Sequence, residues 1–152
     1  MVKIDKIDRK IIRILQEDAT LANAEVADRV GLSANACWRR TKKLEEDRVI
    51  RKQVALIRDA AVDLNLTAFV AIKTNQHDDA WLETFAQGIK AIPEVIEFYR
   101  LSGDTDYLLK VVAKDIEDYD RVYKELIKVT PLHDVSSSFA MERIKSTTAL
   151  PV

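Results

Sequence analysis

Between Ile4 and Asp18 apolar residues recur every three or four positions, at Ile4, Ile7, Ile11, Ile12, Ile14 and Leu15. That spacing predicts one buried helical stripe, with Lys6, Arg9, Lys10 and Arg13 left outside and Asp5 placed to cap the start. A short second helix is expected from Asn23 to Val30, burying Val26, Ala27 and Val30. Gly31 ends it, since glycine readily adopts the left-handed conformation at a helix C-terminus. Ser33 caps a third helix that runs to about Asp47. Only Leu32 separates Gly31 from Ser33, so helices two and three must cross steeply, as in a helix-turn-helix. A three-helix bundle that never meets DNA would show the same apolar spacing.

Beyond Gln53 the period shortens. Val49–Lys52 reads as the start of a strand, Gln53–Ile57 as a linking strand and Asp59–Asp63 as a helical turn. Leu66–Thr74 is a buried strand by its β-branched content. Asp79–Ala91 and Asp115–Val129 are helices, Val95–Leu101 and Tyr107–Ala113 strands, and His133–Lys145 a long last strand. The order is β-α-β-β-α-β, a ferredoxin-like antiparallel sheet with both helices on one face. Its other face is expected to keep Phe69, Ala71, Phe98 and Leu108 uncovered, which implies a partner subunit. The fold class is therefore α+β: a winged helix-turn-helix over 1–52, a linker strand and turn over 53–65, and a sheet domain over 66–152.

Composition narrows the class. In 152 residues, 47% hydrophobic and 32% charged, there is enough apolar material for real cores and no run long enough to span a membrane. The first residues alternate charge with aliphatics, unlike a secretory signal. One cysteine allows no internal disulfide, so the expected location is the cytoplasm, with no membrane partner. Residues 1–52 hold 13 Lys and Arg against 9 Asp and Glu, a net +4; residues 53–152 hold 11 against 16, a net −5. Either the first third alone meets a polyanion, or the charges segregate by chance.

The third helix favours the polyanion. At about 100° per residue, Cys37, Thr41 and Leu44 share the packing side, with Trp38 at its margin, while Asn35, Arg39, Lys42 and Lys43 point outward. Arg and Lys can donate to guanine, and Asn can pair both ways with adenine. Arg40, at the boundary, is expected on a backbone phosphate. The candidate DNA-binding residues are Ser33, Asn35, Arg39, Arg40, Lys42 and Lys43; double-stranded DNA is the partner, against a merely solvated charged face. Cys37 reads as a small apolar packing residue. His77 and His133 have no companion at metal-ligand spacing, and no nucleophile–base pairing or phosphate loop exists. No metal, cofactor or catalytic residue is expected.

Three runs carry a family resemblance: Asp5–Asp18 (DKIDRKIIRILQED), Val30–Arg40 (VGLSANACWRR) and Ser102–Lys110 (SGDTDYLLK). With them in order and at these spacings, nearly the whole chain resembles the leucine-responsive and asparagine-sensing (Lrp/AsnC, feast/famine) transcription regulators. The resemblance implies a C-terminal amino-acid-binding (RAM-type) module, dimers pairing sheet to sheet, and assembly toward octamers. It also implies an effector held between subunits by the glycine–aspartate loop and the last strand. Carried onto this chain, those positions are Ser102, Gly103, Asp104, Asp106 and Tyr107, with Ser136 and Ser138 opposite. A loop aspartate suits an ammonium, and Gly103 would admit a close backbone approach. Read without the resemblance, the same loop is an ordinary hairpin turn.

Ser136–Ser138 stands where relatives sensing bulky effectors carry larger residues, which disfavours leucine. The ending Ser138–Pro151 resembles the branch associated with cysteine sensing. The expected function is a sequence-specific regulator of amino-acid metabolism, not an enzyme. Two alternatives stay open at this point: an architectural protein compacting DNA with little sequence preference, and an effector-binding metabolic module.

Overall fold

The computed structural model describes residues 3–76 and 78–152; His77 lies outside them. The chain divides into two compact units, Met1–Leu56 with Lys145–Val152, and Ile57–Ile144.

The first unit is helical: α1 (Lys6–Glu17), α2 (Asn23–Val30) and α3 (Ala34–Glu46). Each start and stop has a local cause. Asp5 Oδ1 accepts from the Ile7 and Asp8 amides at 2.8 Å, and Asp8 Oδ2 accepts from the Asp5 amide at 3.0 Å, a reciprocal cap on α1. Gly31 closes α2 at φ +72°, a conformation that favours glycine. The Ser33 hydroxyl accepts from the Ala36 amide at 3.3 Å to open α3. Ile11 and Cys37 are fully buried at the centre, with Val26, Ala27, Val30 and Leu44 around them. Cys37 is thus a packing residue, as its place on the helix suggested.

Residues 145–152 belong to this unit rather than to the sheet domain. The Gln16 side chain exchanges hydrogen bonds with the Leu150 backbone, at 2.7 and 3.1 Å, and the Arg13 guanidinium donates to the Val152 carbonyl oxygen. The wing and linking strand expected over 49–57 do not form in the single chain: this stretch has no strand partner, and Val54, Leu56 and Ile57 stay exposed. An extended segment becomes a strand only when another backbone meets its hydrogen-bonding groups.

The second unit begins with a 3₁₀ turn (Asp59–Val62) and continues β1 (Leu66–Lys73), α4 (Asp79–Lys90), β2 (Val95–Arg100), β3 (Tyr107–Ala113), α5 (Ile116–Leu126) and β4 (Asp134–Phe139). All three pairings are antiparallel, in the order β2-β3-β1-β4. Ala68, Val70 and Ile72 of β1 and Leu109 and Val111 of β3 meet Phe85, Ile89, Val122 and Leu126 of the helices in one buried cluster. Gly88 lets α4 close on Val129, where an added Cβ would collide with the valine methyls.

Two expectations need correction. Phe98 does not lie on the open face: it pairs with Leu109 and meets Phe85 edge-on at 5.6 Å, inside the core. A register shift between Val95 and Glu97 changes the phase of β2, so Tyr99 takes the open-face position, half exposed. The last strand also ends at Phe139, where its pairing with Ala68 closes near the start of β1 and the Ala140 amide makes a final bond to the Thr67 carbonyl. Met141 and Ile144 are exposed in consequence.

Candidate DNA-reading helix and ligand loop

The outward face of α3 carries Asn35, Trp38, Arg39, Lys42 and Lys43, all exposed. The Asn23 side chain donates to the Ala34 carbonyl at 2.8 Å, tying α2 to the first turn of α3 and fixing the angle at which that face is presented. Ser33 is exposed at the helix start with its oxygen engaged in capping. Lys42 pairs with Glu45 at 2.7 Å and Lys43 with Asp47 at 3.1 Å, both along the exposed helix surface. Such surface pairs are worth about 0–1 kcal/mol, so a phosphate can displace them at little cost. Among the described residues, Arg39 is the α3 cation without a carboxylate partner.

Arg40 behaves differently. Its Nη1 lies 2.7 Å from Asp5 Oδ2 and 2.7 Å from Asp8 Oδ1. The guanidinium locks the α1 cap to α3. The Asp8 amide hydrogen bond, followed by Arg40, holds the Asp5 carboxyl down at about 2. Helical periodicity could not reveal this, because the partners stand 35 and 32 residues away. A cation about a third of a turn from the outward centre, facing a capping box on another helix, was the available signal.

In the sheet domain the loop Ser102–Asp106 joins β2 to β3. Gly103 adopts φ +114°, the one position in the turn that requires glycine. Asp106 is a clasp: its amide donates to the Ile72 carbonyl at 3.1 Å, and its Oδ2 accepts from the Thr74 amide at 2.8 Å. Ser102, Gly103 and Asp104 are exposed, and Asp104 has no side-chain hydrogen bond or ion pair among the described residues. Tyr107 leaves the candidate pocket, since its ring is 3% exposed and packed between Trp81, Phe85 and Phe98.

On β4, Ser136 pairs with Ala71 and Ser138 with Phe69, so both hydroxyls share the open sheet face with Leu108 and Lys110. Ser137 points the other way and bonds the Tyr119 hydroxyl. Strand β1 stands between β3 and β4, which puts the loop side and the serine strand two spacings, about 10 Å, apart. A single chain therefore does not bring Asp104 and the serines together. The open face also holds a polar group: Glu97 accepts from Lys110 at 2.8 Å and from the Tyr99 hydroxyl at 2.6 Å. Those two bonds, Lys110 first, lower the Glu97 carboxyl.

Comparison with known proteins identifies both units. Residues 4–45 match the AsnC-type helix-turn-helix domain, and residues 67–150 match the Lrp/AsnC ligand binding domain. The glutamate uptake regulatory protein of Zymomonas mobilis is 49% identical over 150 residues, covering 99% of this chain and 92% of its own. The crystal structure of an AsnC family transcriptional regulator from Agrobacterium tumefaciens is 55% identical, with a TM-score of 0.94 over 97% of this chain and 96% of that one. A transcriptional regulator from Neisseria meningitidis, solved in complex with L-Met, is 37% identical, with a TM-score of 0.92 over 98% and 97%. These relatives regulate transcription rather than catalyse reactions, and no helix among the described residues is long and apolar enough to cross a membrane. With a DNA-binding helix-turn-helix followed by a ligand-binding sheet domain, the chain belongs to the Lrp/AsnC family of transcription regulators.

Proposed function

We propose that this regulator acts in the cytoplasm on genes of amino-acid metabolism, reading specific double-stranded sites through α3 and responding to an amino acid held at a junction between subunits. Ser33, Asn35 and Arg39, in the first two turns, lie where recognition helices meet base edges; Lys42 and Lys43 serve phosphates.

The effector site is Asp104 with the backbone of Ser102 and Gly103 from one subunit, and Ser136 and Ser138 from another. One observation carries this reading: Asp106 is spent on the β1 clasp, leaving Asp104 exposed at the loop tip. An ammonium can pair with that carboxylate, and the neighbouring amides and hydroxyls suit the effector's carboxylate. The gap of about 10 Å to the serine strand supports completion by a second copy, as does the apolar open face with Phe69 and Leu108. Homodimers, built up into octamers, satisfy both. Small serine side chains favour a small effector, and cysteine is the first to try.

Isothermal titration of the wild type and Asp104→Ala with cysteine, methionine and glutamate tests the proposal. Micromolar to millimolar binding of one of them, lost in Asp104→Ala with effector-free DNA binding intact, is the expected result. Equal affinity in the two proteins would make the loop a mere turn.

A further inference from the structure

Trp38 leaves 52% of its surface exposed, whereas Trp81, the chain's other tryptophan, is 8% exposed and stacked on Phe85 at 4.9 Å. Trp38 is not among the buried or half-buried residues around Ile11 and Cys37, and no aromatic ring among the described residues stacks on it. About half of a large apolar side chain is thus left in water on a helix whose own core is already filled.

Its neighbours on the helix show what can cover it. Asn35 stands three residues before it and Lys42 four residues after, so the ring shares one edge of the outward face with an amide and a cation. Trp38 is the fifth residue of α3, within the first two turns that a recognition helix turns toward base edges. The polar members of this face can read hydrogen-bond donors and acceptors. None of them can read the C5-methyl of thymine, the apolar mark that the major groove presents. In the first two turns of α3 the exposed apolar groups are Ala34 and Trp38, and Trp38 is the one large enough to reach past the polar side chains to it.

We infer that Trp38 packs against a thymine methyl beside the base met by Asn35, making it a specificity-determining residue of the operator contact. This rests on the reading of α3 given above. It predicts that the preferred half-site holds a thymine whose methyl matters, in addition to the donor–acceptor pattern read by Asn35 and Arg39.

The test uses the full chain and a duplex selected with it from a random DNA library, with each thymine replaced in turn by deoxyuridine, which lacks only the methyl. Loss of one methyl contact should weaken wild-type binding about three- to tenfold at one position per half-site. The same replacement should cost nothing in Trp38→Ala and an intermediate amount in Trp38→Phe, with circular dichroism verifying the fold of each. If Trp38→Ala does not fold, the wild-type scan and Trp38→Phe decide. A flat scan, or equal methyl dependence in the variants, overturns the inference. If Asn35→Ala and Arg39→Ala weaken binding while the scan stays flat, the α3 reading survives and only the role of Trp38 falls. Wild-type affinity in those two variants overturns both.

Discussion

Residues 3–56 and 57–144 bury their apolar surface in contrasting ways. In the first, three helices turn their stripes onto one another around Ile11 and Cys37, and the face left outside is an amide, cations and one indole. In the second, the sheet gives one face to α4 and α5 and leaves Phe69, Tyr99 and Leu108 on the other. The first unit carries its proposed DNA-reading side chains on one helix, so the whole candidate face is present in one chain. The second carries its proposed effector-binding groups on a loop tip and an edge strand separated by β1. A reading surface can be built locally, whereas a site that responds to assembly benefits from being incomplete until a second copy arrives.

The core of the sheet domain can be weakened without touching α3. Leu109 is fully buried between sheet and helices, and Leu109→Ala should cost about 2–5 kcal/mol of unfolding free energy. Calorimetry should then show the ligand-binding unit melting early, while gel shifts below that temperature still detect DNA binding. Loss of both together would mean that the two units fold as one.

Gly88→Ala probes the same unit at a single contact. Alanine is the better helix former by about 1 kcal/mol, yet the collision with Val129 should leave a net loss of about 1–3 kcal/mol in urea unfolding. A stabilised variant would show that α4 and α5 have room to separate.

On the DNA-binding side, Arg39→Ala should weaken operator binding by about 1–3 kcal/mol with reduced base discrimination. Lys42→Ala and Lys43→Ala should weaken it less, uniformly across sequences, and flatten the salt dependence. Identical effects in all three would remove the division between base and phosphate contacts along α3.

The smallest expected effect is on acid stability. The Asp5 carboxyl sits at about 2, below its ordinary 3.8, so the charged form favours the folded state. That contribution is complete above the ordinary value and is lost as pH falls from about 4 toward 2. Asp5→Asn should flatten this limb in a melting series monitored by circular dichroism. An unchanged slope would mean that the Asp5–Arg40–Asp8 lock does not hold α1 to α3.

Features with a local cause were legible in the amino-acid sequence. The stripes of α1 to α3, the caps at Asp5 and Ser33, the glycine stop at Gly31 and the β-α-β-β-α-β order depend on residues three or four apart, or two apart, along the chain. The outward set Asn35, Arg39, Lys42 and Lys43 followed from the same periodicity, as did the glycine–aspartate turn. The remaining features depend on groups far apart in the chain. The register shift in β2 exchanged Phe98 for Tyr99 on the open face, because strand phase is set by the partner across the ladder and not by the strand's own alternation. The pairing of Arg40 with Asp5 and Asp8, the clasp of Asp106 on Thr74 and the return of residues 145–152 to α1 each join segments tens of residues or more apart. So did the exposure of Trp38, since a residue at the margin of a helical stripe is covered or left bare by whatever packs beside it. Periodicity records which way a side chain points; only the folded chain supplies what it meets there.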